Sequence, residues 1–199
     1  MKKPRCLFFL TLLAVCISAV AATEAESRQV FDQLLEESGL RVESRKAFTD
    51  IPIQRNPVLA YEHAMRLESG ALELRFIVRP LSRIEIEYND PHNAAPEPNH
   101  LFPLLFESLT QHLAANNDTS SSTLSEIEAK EKFNAQWAAV AAFDVDPQFS
   151  SKYKNAILIG MHRNDQADAY TLFLYNDPET AKPLISTTLG IMSFNPETQ

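Results

Sequence analysis

The sequence predicts an α+β domain, an antiparallel sheet packed against helices, and three observations carry that reading. Residues 60–88 alternate apolar and polar side chains through three short runs, the period of a strand with one covered face. Residues 155–176 hold two runs of strand formers separated by a short polar loop. Between them LFPLLFESLTQHLAANN, residues 101–117, reads as a helix apolar on most sides, which belongs across a sheet rather than on a surface.

Taken in order, ESRQVFDQLLEESG (26–39) is a short helix with Val30, Phe31, Leu34 and Leu35 on one stripe and Gly39 as its stop. Pro52 and Pro57 keep 41–58 irregular, with room for one short edge strand around Ile51 to Ile53. In 60–67 Tyr61, His63, Met65 and Leu67 share a face, and Glu68-Ser69-Gly70 turns the chain. In 71–79 Leu72, Leu74, Phe76 and Val78 oppose Glu73, Arg75, Ile77 and Arg79, and in 83–88 Ile84, Ile86 and Tyr88 oppose Arg83, Glu85 and Glu87. These three runs predict an antiparallel meander whose apolar face is covered by the helix over 101–115.

The proline-rich stretch 89–99 is a loop, and Pro103 suits the first turn of the helix that follows, where a missing backbone donor costs little. DTSSST (118–123) reads as a linker, and Thr123 with Glu126 as a capping box for a helix through about Phe133. QWAAVAAFDVD (136–146) fits strand or helix, with strand favoured at its end. NAILIGMHR (155–163) and DAYTLFLYN (168–176) alternate less cleanly than the first strands, as a central pair covered on both faces would. Asp177-Pro178 starts a turn or helix, and PLISTTLGIMSF packs a last helix or strand.

The first residues set the expected address. MKKPR, the apolar run CLFFLTLLAVCISAV and the small residues after it make a tripartite export signal, with Ala19 and Ala21 placing cleavage near Ala21/Ala22. Residues 1–21 are therefore read as a signal peptide and 22–199 as one domain, periplasmic after export, with no stable membrane insertion once the signal is gone. Leu13-Ala14-Val15-Cys16 resembles a lipoprotein signal, except that Val15 stands where a small residue is usual, so lipidation at Cys16 stays open. Losing 1–21 removes Lys2, Lys3 and Arg5 and no acid, so 18 basic residues fall to 15 against 26 acidic ones and the formal charge moves from −8 to −11. Cys6 and Cys16 leave as well, and with them any disulfide, thiolate or cysteine metal ligand. So acidic a chain lacks the basic footprint of a nucleic-acid partner.

The chemistry-bearing residues are few. His162, Asp165 and Asp168 crowd one hairpin and are the candidate metal set, but Asn164-Asp165-Gln166 does not follow a calcium loop, and aspartates at such turns serve the backbone. Asp177 sits at the far end of the strand, roughly 30 Å away, and cannot join them. His92, Glu97 and His100 are spaced unlike any compact zinc motif. His112 is placed to meet carbonyls at a helix end, and His63, alternating with core residues, is a half-buried histidine that can line a pocket. The charged face of the meander reads as a solvated carpet of cross-strand pairs. Its arginines Arg75, Arg79 and Arg83, together with His63, are the candidate ligand contacts, since guanidinium groups fork onto carboxylates and phosphates. No serine elbow, phosphate loop or cofactor motif is present, so no catalytic residue, cofactor or metal is assigned.

AYEHAMRLESGALELRFIVRP and KNAILIGMHRNDQADAYTLFLYND, set among the helices in this order, resemble the PsbP/Mog1-like fold. That resemblance implies an accessory, assembly or binding role and transfers no functional residue. The expectation is an exported periplasmic accessory or binding protein without catalytic activity, acting on an unknown protein or a small anionic ligand. A structural component of an envelope complex and a metal-assisted hydrolase using His92, His100 or His162 are the alternatives.

Overall fold

The computed structural model describes residues 25–84 and 97–196. The chain runs through helix α1 (25–37), strands β1 (Leu40–Val42), β2 (Phe48–Asp50), β3 (His63–Leu67) and β4 (Glu73–Pro80), and a one-turn 3₁₀ helix (Leu81–Arg83). It continues through α2 (Pro98–Leu113), β5 (Ala114–Thr123), α3 (Glu126–Phe133), β6 (Trp137–Val145), β7 (Asn155–Arg163), β8 (Ala167–Tyr175), α4 (Pro178–Thr188) and β9 (Met192–Phe194). Seven strands form one sheet in the order β2-β3-β4-β8-β7-β6-β5, every pair antiparallel, while β1 and β9 make a separate two-stranded ribbon. The fold is α+β, as expected, and no helix among the described residues is long and apolar enough to cross a membrane.

Both faces of the sheet are covered. On one, Phe31, Leu34 and Leu35 of α1, Ala129 and Phe133 of α3, Ala181 and Ile185 of α4, and the β1–β9 ribbon pack on Met65, Leu74, Phe76, Val78, Ile159, Met161 and Phe173. On the other, Phe102, Phe106 and Leu113 of α2 join Leu59, Tyr61, Phe149 and Tyr153 over Ala64, Ile77, Leu158, Tyr170, Leu172 and Leu174. Each fully buried phenylalanine contributes roughly 1.5–3 kcal/mol. Strand β8 is the middle strand and all nine of its residues are buried, Asp168 and Thr171 among them, as its lack of apolar–polar alternation suggests. Gly160 lets α2 come close: a Cβ there would lie 2.5 Å from Phe106 Cδ2 and 3.1 Å from Phe102 Cζ.

Several expectations are corrected. The helix after Pro98 lies on the face of Ile77, and the Leu74–Phe76–Val78 face belongs to α1, α3 and α4. The meander is β2-β3-β4, not three strands across 60–88: β8 occupies the second edge of β4, Arg83 closes the 3₁₀ turn, Ile84 is exposed, and 85–88 lie outside the described residues. The stretch 41–58 holds the end of β1, Arg41 and Val42, and a short edge strand at Phe48–Asp50, just before the expected Ile51 to Ile53. DTSSST is no linker; it completes edge strand β5, whose Ser120 to Thr123 pair with Ala142 to Ala139. Hydroxyl side chains suit an edge that faces water. The capping box of α3 is Ser125 with Glu128, two residues later than expected. Helix α2 starts at Pro98, which takes the first-turn place expected of Pro103 and leaves Pro103 inside the helix, and it ends at Leu113, so 114–117 are strand and not helix. Other expectations hold: 137–145 is strand, Gly39 stops α1 with φ +62°, and Asp177 caps α4 by accepting from Glu179 N–H. The segment 1–21, with Cys16 and the cleavage site, lies outside the described residues.

Candidate functional site

Alternation along β3 sends His63 to the same face as Met65, under α1. Its ring stacks on Phe31 at 4.6 Å and on Phe76 at 5.8 Å, and only 8 % of the side chain is exposed. Nε2 lies 3.2 Å from Asp50 Oδ1, near enough for charge attraction but misaligned for a hydrogen bond. Burial pushes the imidazole below the usual histidine value; Asp50 and Asp32 pull it up, Arg28 adds to the lowering, and the balance favours the neutral ring.

Above His63 opens a cleft of about 390 Å³, bounded by α1, the β1–β2 connection and the β2–β3 edge. Phe31, Val42, Phe48 and Met65 give it apolar walls. Arg28 ties the rim by donating to Asp32 at 3.0 Å and Asp50 at 2.8 Å. Across from it Arg45 donates Nη2–H to Glu43 at 2.9 Å, while its buried Nε–H has no acceptor among the described residues. Two residues that line this cleft, His63 and Arg45, thus each keep a buried nitrogen, Nε2 and Nε, without a hydrogen-bond partner among the described residues. Such groups are uncommon in folded chains because each costs its desolvation energy.

The three arginines singled out in the sequence do not converge. Arg75 sits inside the protein with 8 % of its side chain exposed, donating Nε–H and Nη2–H to Glu73 Oε1 at 3.1 and 2.9 Å, between the rings of Tyr61 and Phe149. Arg79 donates to Glu62 at 2.7 Å and Arg83 to Glu37 at 2.6 Å. The expected solvated carpet is therefore half buried: Glu73, 3 % exposed, also accepts from Arg66 at 2.8 Å, Tyr153 at 2.8 Å and Lys152 at 3.4 Å. Glu73 is saturated by donors, and the network is closed on itself.

The hairpin candidates also separate. His162 and Asp168 face each other across β7 and β8, with Nδ1 at 2.7 Å from Asp168 Oδ1 and Nε2 at 3.0 Å from Asn164 Oδ1. Phe102 stacks on the imidazole at 5.4 Å. Burial pushes the neighbouring Tyr170 hydroxyl far up, and Asp168 adds to it. Asp165 turns away, φ +59°, to exchange hydrogen bonds with Asn99 at the start of α2. The described residues hold no group of three or more His, Cys, Asp or Glu placed to bind a metal. His100 and Glu97 are exposed and 3.6 Å apart, and His92 lies outside the described residues. His112 lines a separate open cleft with Gln111, Asp146 and Phe149.

Of the sequence candidates, then, His63 lies in the cleft. Arg45, Asp50 and Glu43 went unnoticed in the sequence because 41–58 carries no periodicity to place them. The one available signal was Ser44 flanked by two opposite charges between short elements, a pattern common to many loops.

No family model and no curated protein matches the chain. Among solved structures it is similar to the solution structure of cyanobacterial PsbP (CyanoP) from Synechocystis sp. PCC 6803. The likeness has a TM-score of 0.43 at 9% identity and covers 79% of this chain and 88% of that one. It is a coarse likeness of architecture, in line with the PsbP/Mog1-like arrangement, and no functional argument rests on it.

Proposed function

We propose that the protein is an exported, periplasmic accessory or binding protein that holds a ligand in the cleft over His63 and catalyses no reaction. One observation supports this reading: a small cleft with apolar walls is lined by two residues, His63 and Arg45, that each keep a buried nitrogen without a hydrogen bond. The remaining buried charges support it from the other side. Glu73–Arg75 and His162–Asp168 are spent on each other and on their neighbours, as groups that hold a fold together are. Export rests on the tripartite start of the chain.

The test is native and elemental mass analysis of protein purified from its own periplasm, with N-terminal sequencing. A mature start near Ala22 and a stoichiometric organic compound support the proposal. A stoichiometric metal that survives dialysis, or a start at Met1, sinks it.

A second reading has one specific observation behind it. On the outer side of α2, Leu104 is 67 % exposed and Leu105 44 %, an apolar spot suited to a structural partner in an envelope complex. A co-purifying protein lost on Leu104→Ser with Leu105→Ser, with no bound compound, would favour it.

A further inference from the structure

We infer that a second cleft, between the last turn of α2 and the β6–β7 connection, binds a neutral saccharide. It lies apart from the cleft over His63, and the inference stands whether or not that cleft holds a ligand.

The frame of this cleft is fixed by backbone. Asp146 N–H donates to Leu113 O at 2.9 Å, joining the β6–β7 connection to the end of α2. Phe149 and Ser150 donate their N–H groups back to Asp146 O at 2.9 and 3.0 Å. Asn56 accepts from Val58 and Leu59 N–H and donates to Phe149 O at 2.8 Å, which sets Val58 as a wall. On this frame stand Gln111 and His112 of α2, Asn116 of β5 and Gln148. All four are exposed, and their side chains make no hydrogen bond among the described residues. A ligand therefore meets polar atoms that are both free and open.

Asn116 owes its place to an irregularity. Strand β5 loses register with β6 between Ala114 and Thr119, and Asn116 stands inside that bulge at φ +57°, in the left-handed region. Bulges re-aim side chains beside binding sites, and this one adds a carboxamide to the lining.

The lining selects the ligand. Carboxamides both donate and accept hydrogen bonds, as sugar hydroxyls do, and a planar carboxamide spans two neighbouring hydroxyls. Val58, Ala114 and Phe149 supply apolar surface for the carbon face of a pyranose. Asp146 is the one carboxylate of the lining, and no arginine or lysine of the described residues joins it. Its Oδ1 accepts from Gln148 N–H at 2.7 Å, which leaves Oδ2 for a hydroxyl. The carbonyl end of α2 adds to that negative potential, so an anion is repelled. A volume of about 640 Å³ falls within the range of ligand sites, room for about one or two sugar rings.

The experiment is titration of isotope-labelled protein with maltose, N,N′-diacetylchitobiose, putrescine and inorganic phosphate. It is followed by NMR at the carboxamides of Gln111, Asn116 and Gln148 and at the His112 ring. The expected result is saturable shifts at these groups with at least one disaccharide and none with phosphate. Asn116→Gly keeps the left-handed backbone while removing the carboxamide, and Gln111→Ala keeps a good helix former. With the rest of the spectrum unchanged, each should weaken saccharide binding about threefold or more. The proposal is overturned if neither disaccharide moves these signals up to tens of millimolar. It is overturned as well if putrescine alone binds, which would make the cleft a cation site, if phosphate alone binds, or if both variants bind the sugar as the parent does. Shifts confined to His63 and its neighbours overturn it too, and favour the cleft over His63 as the binding site.

Discussion

Tyr153 donates its hydroxyl to Glu73 Oε2 at 2.8 Å, joining two residues 80 positions apart and closing the donor ring around a buried carboxylate. Removing the carboxylate leaves Arg75 buried and unpaired. Glu73→Ala is expected to cost roughly 3–5 kcal/mol, and Tyr153→Phe, which leaves the arginines in place, about 1.5 kcal/mol, in urea unfolding. Burial by itself pushes the Glu73 carboxyl up, but Arg66, Tyr153 and Arg75 outweigh it and hold it below its ordinary value of 4.5. A depressed carboxyl stabilises the fold above its unfolded pKa and loses that contribution as pH falls through the folded one. Comparing unfolding midpoints at about pH 7 and about pH 3, Glu73→Gln should lose less on acidification than the parent.

His63 gives a dependence in a different window. Its folded pKa is lowered, so the unfolded chain binds a proton first as pH drops below about 6.5, and stability falls with it. Below the folded pKa the loss is complete. Thermal midpoints measured from about pH 7.5 down to about pH 5 should decline, and His63→Phe should flatten that decline while keeping the ring stack. An equal slope in both proteins would mean that His63 is not the group responsible.

Gly160 tests the packing of α2. Gly160→Ala places a methyl against Phe106 and Phe102, two rings with no exposed surface, and overpacking of this kind costs roughly 1–3 kcal/mol. Urea unfolding should show a lower midpoint with an unchanged slope.

The start of α3 separates two positions that look alike in sequence. Ser125 accepts from Glu128 N–H, and the Glu128 carboxylate accepts from Ser125 N–H at 3.0 Å. Ser125→Ala should cost about 1 kcal/mol. Thr123→Val, at the end of β5, should stay within about 0.5 kcal/mol.

Much of the fold was legible because periodicity reports burial. The imperfect alternation of β7 and β8 pointed to their central place, and Gly39 and Asp177 announced helix ends. What misled was the assumption that charged positions face water. Ile77, standing among Glu73, Arg75 and Arg79, was the sign that this face is covered too, and an arginine flanked by Tyr61 and Phe149 can be buried once a carboxylate matches it. Neither Tyr61 nor Phe149 is near Arg75 in sequence, so the burial could not be read locally. The same holds for the cleft: His63 was visible through its alternation with Met65, whereas Arg45 and Asp50 reach it only because β2 pairs with β3.

The pairing of β4 with β8, which sets Glu73 beside Leu174 and Pro80 beside Ala167, also dictates an order in time. Strands β5, β6 and β7 and helices α2 and α3 all lie between these partners in sequence, so a chain made from its N-terminus stays without the middle strand of its sheet until about the last sixth is synthesised. Contacts this distant form slowly and late. A nascent chain halted before Ala167 should therefore show no protease-resistant core, and release of the final two strands should trigger folding of the whole at once. A protein that cannot finish early is one that stays threadable until its synthesis is nearly done.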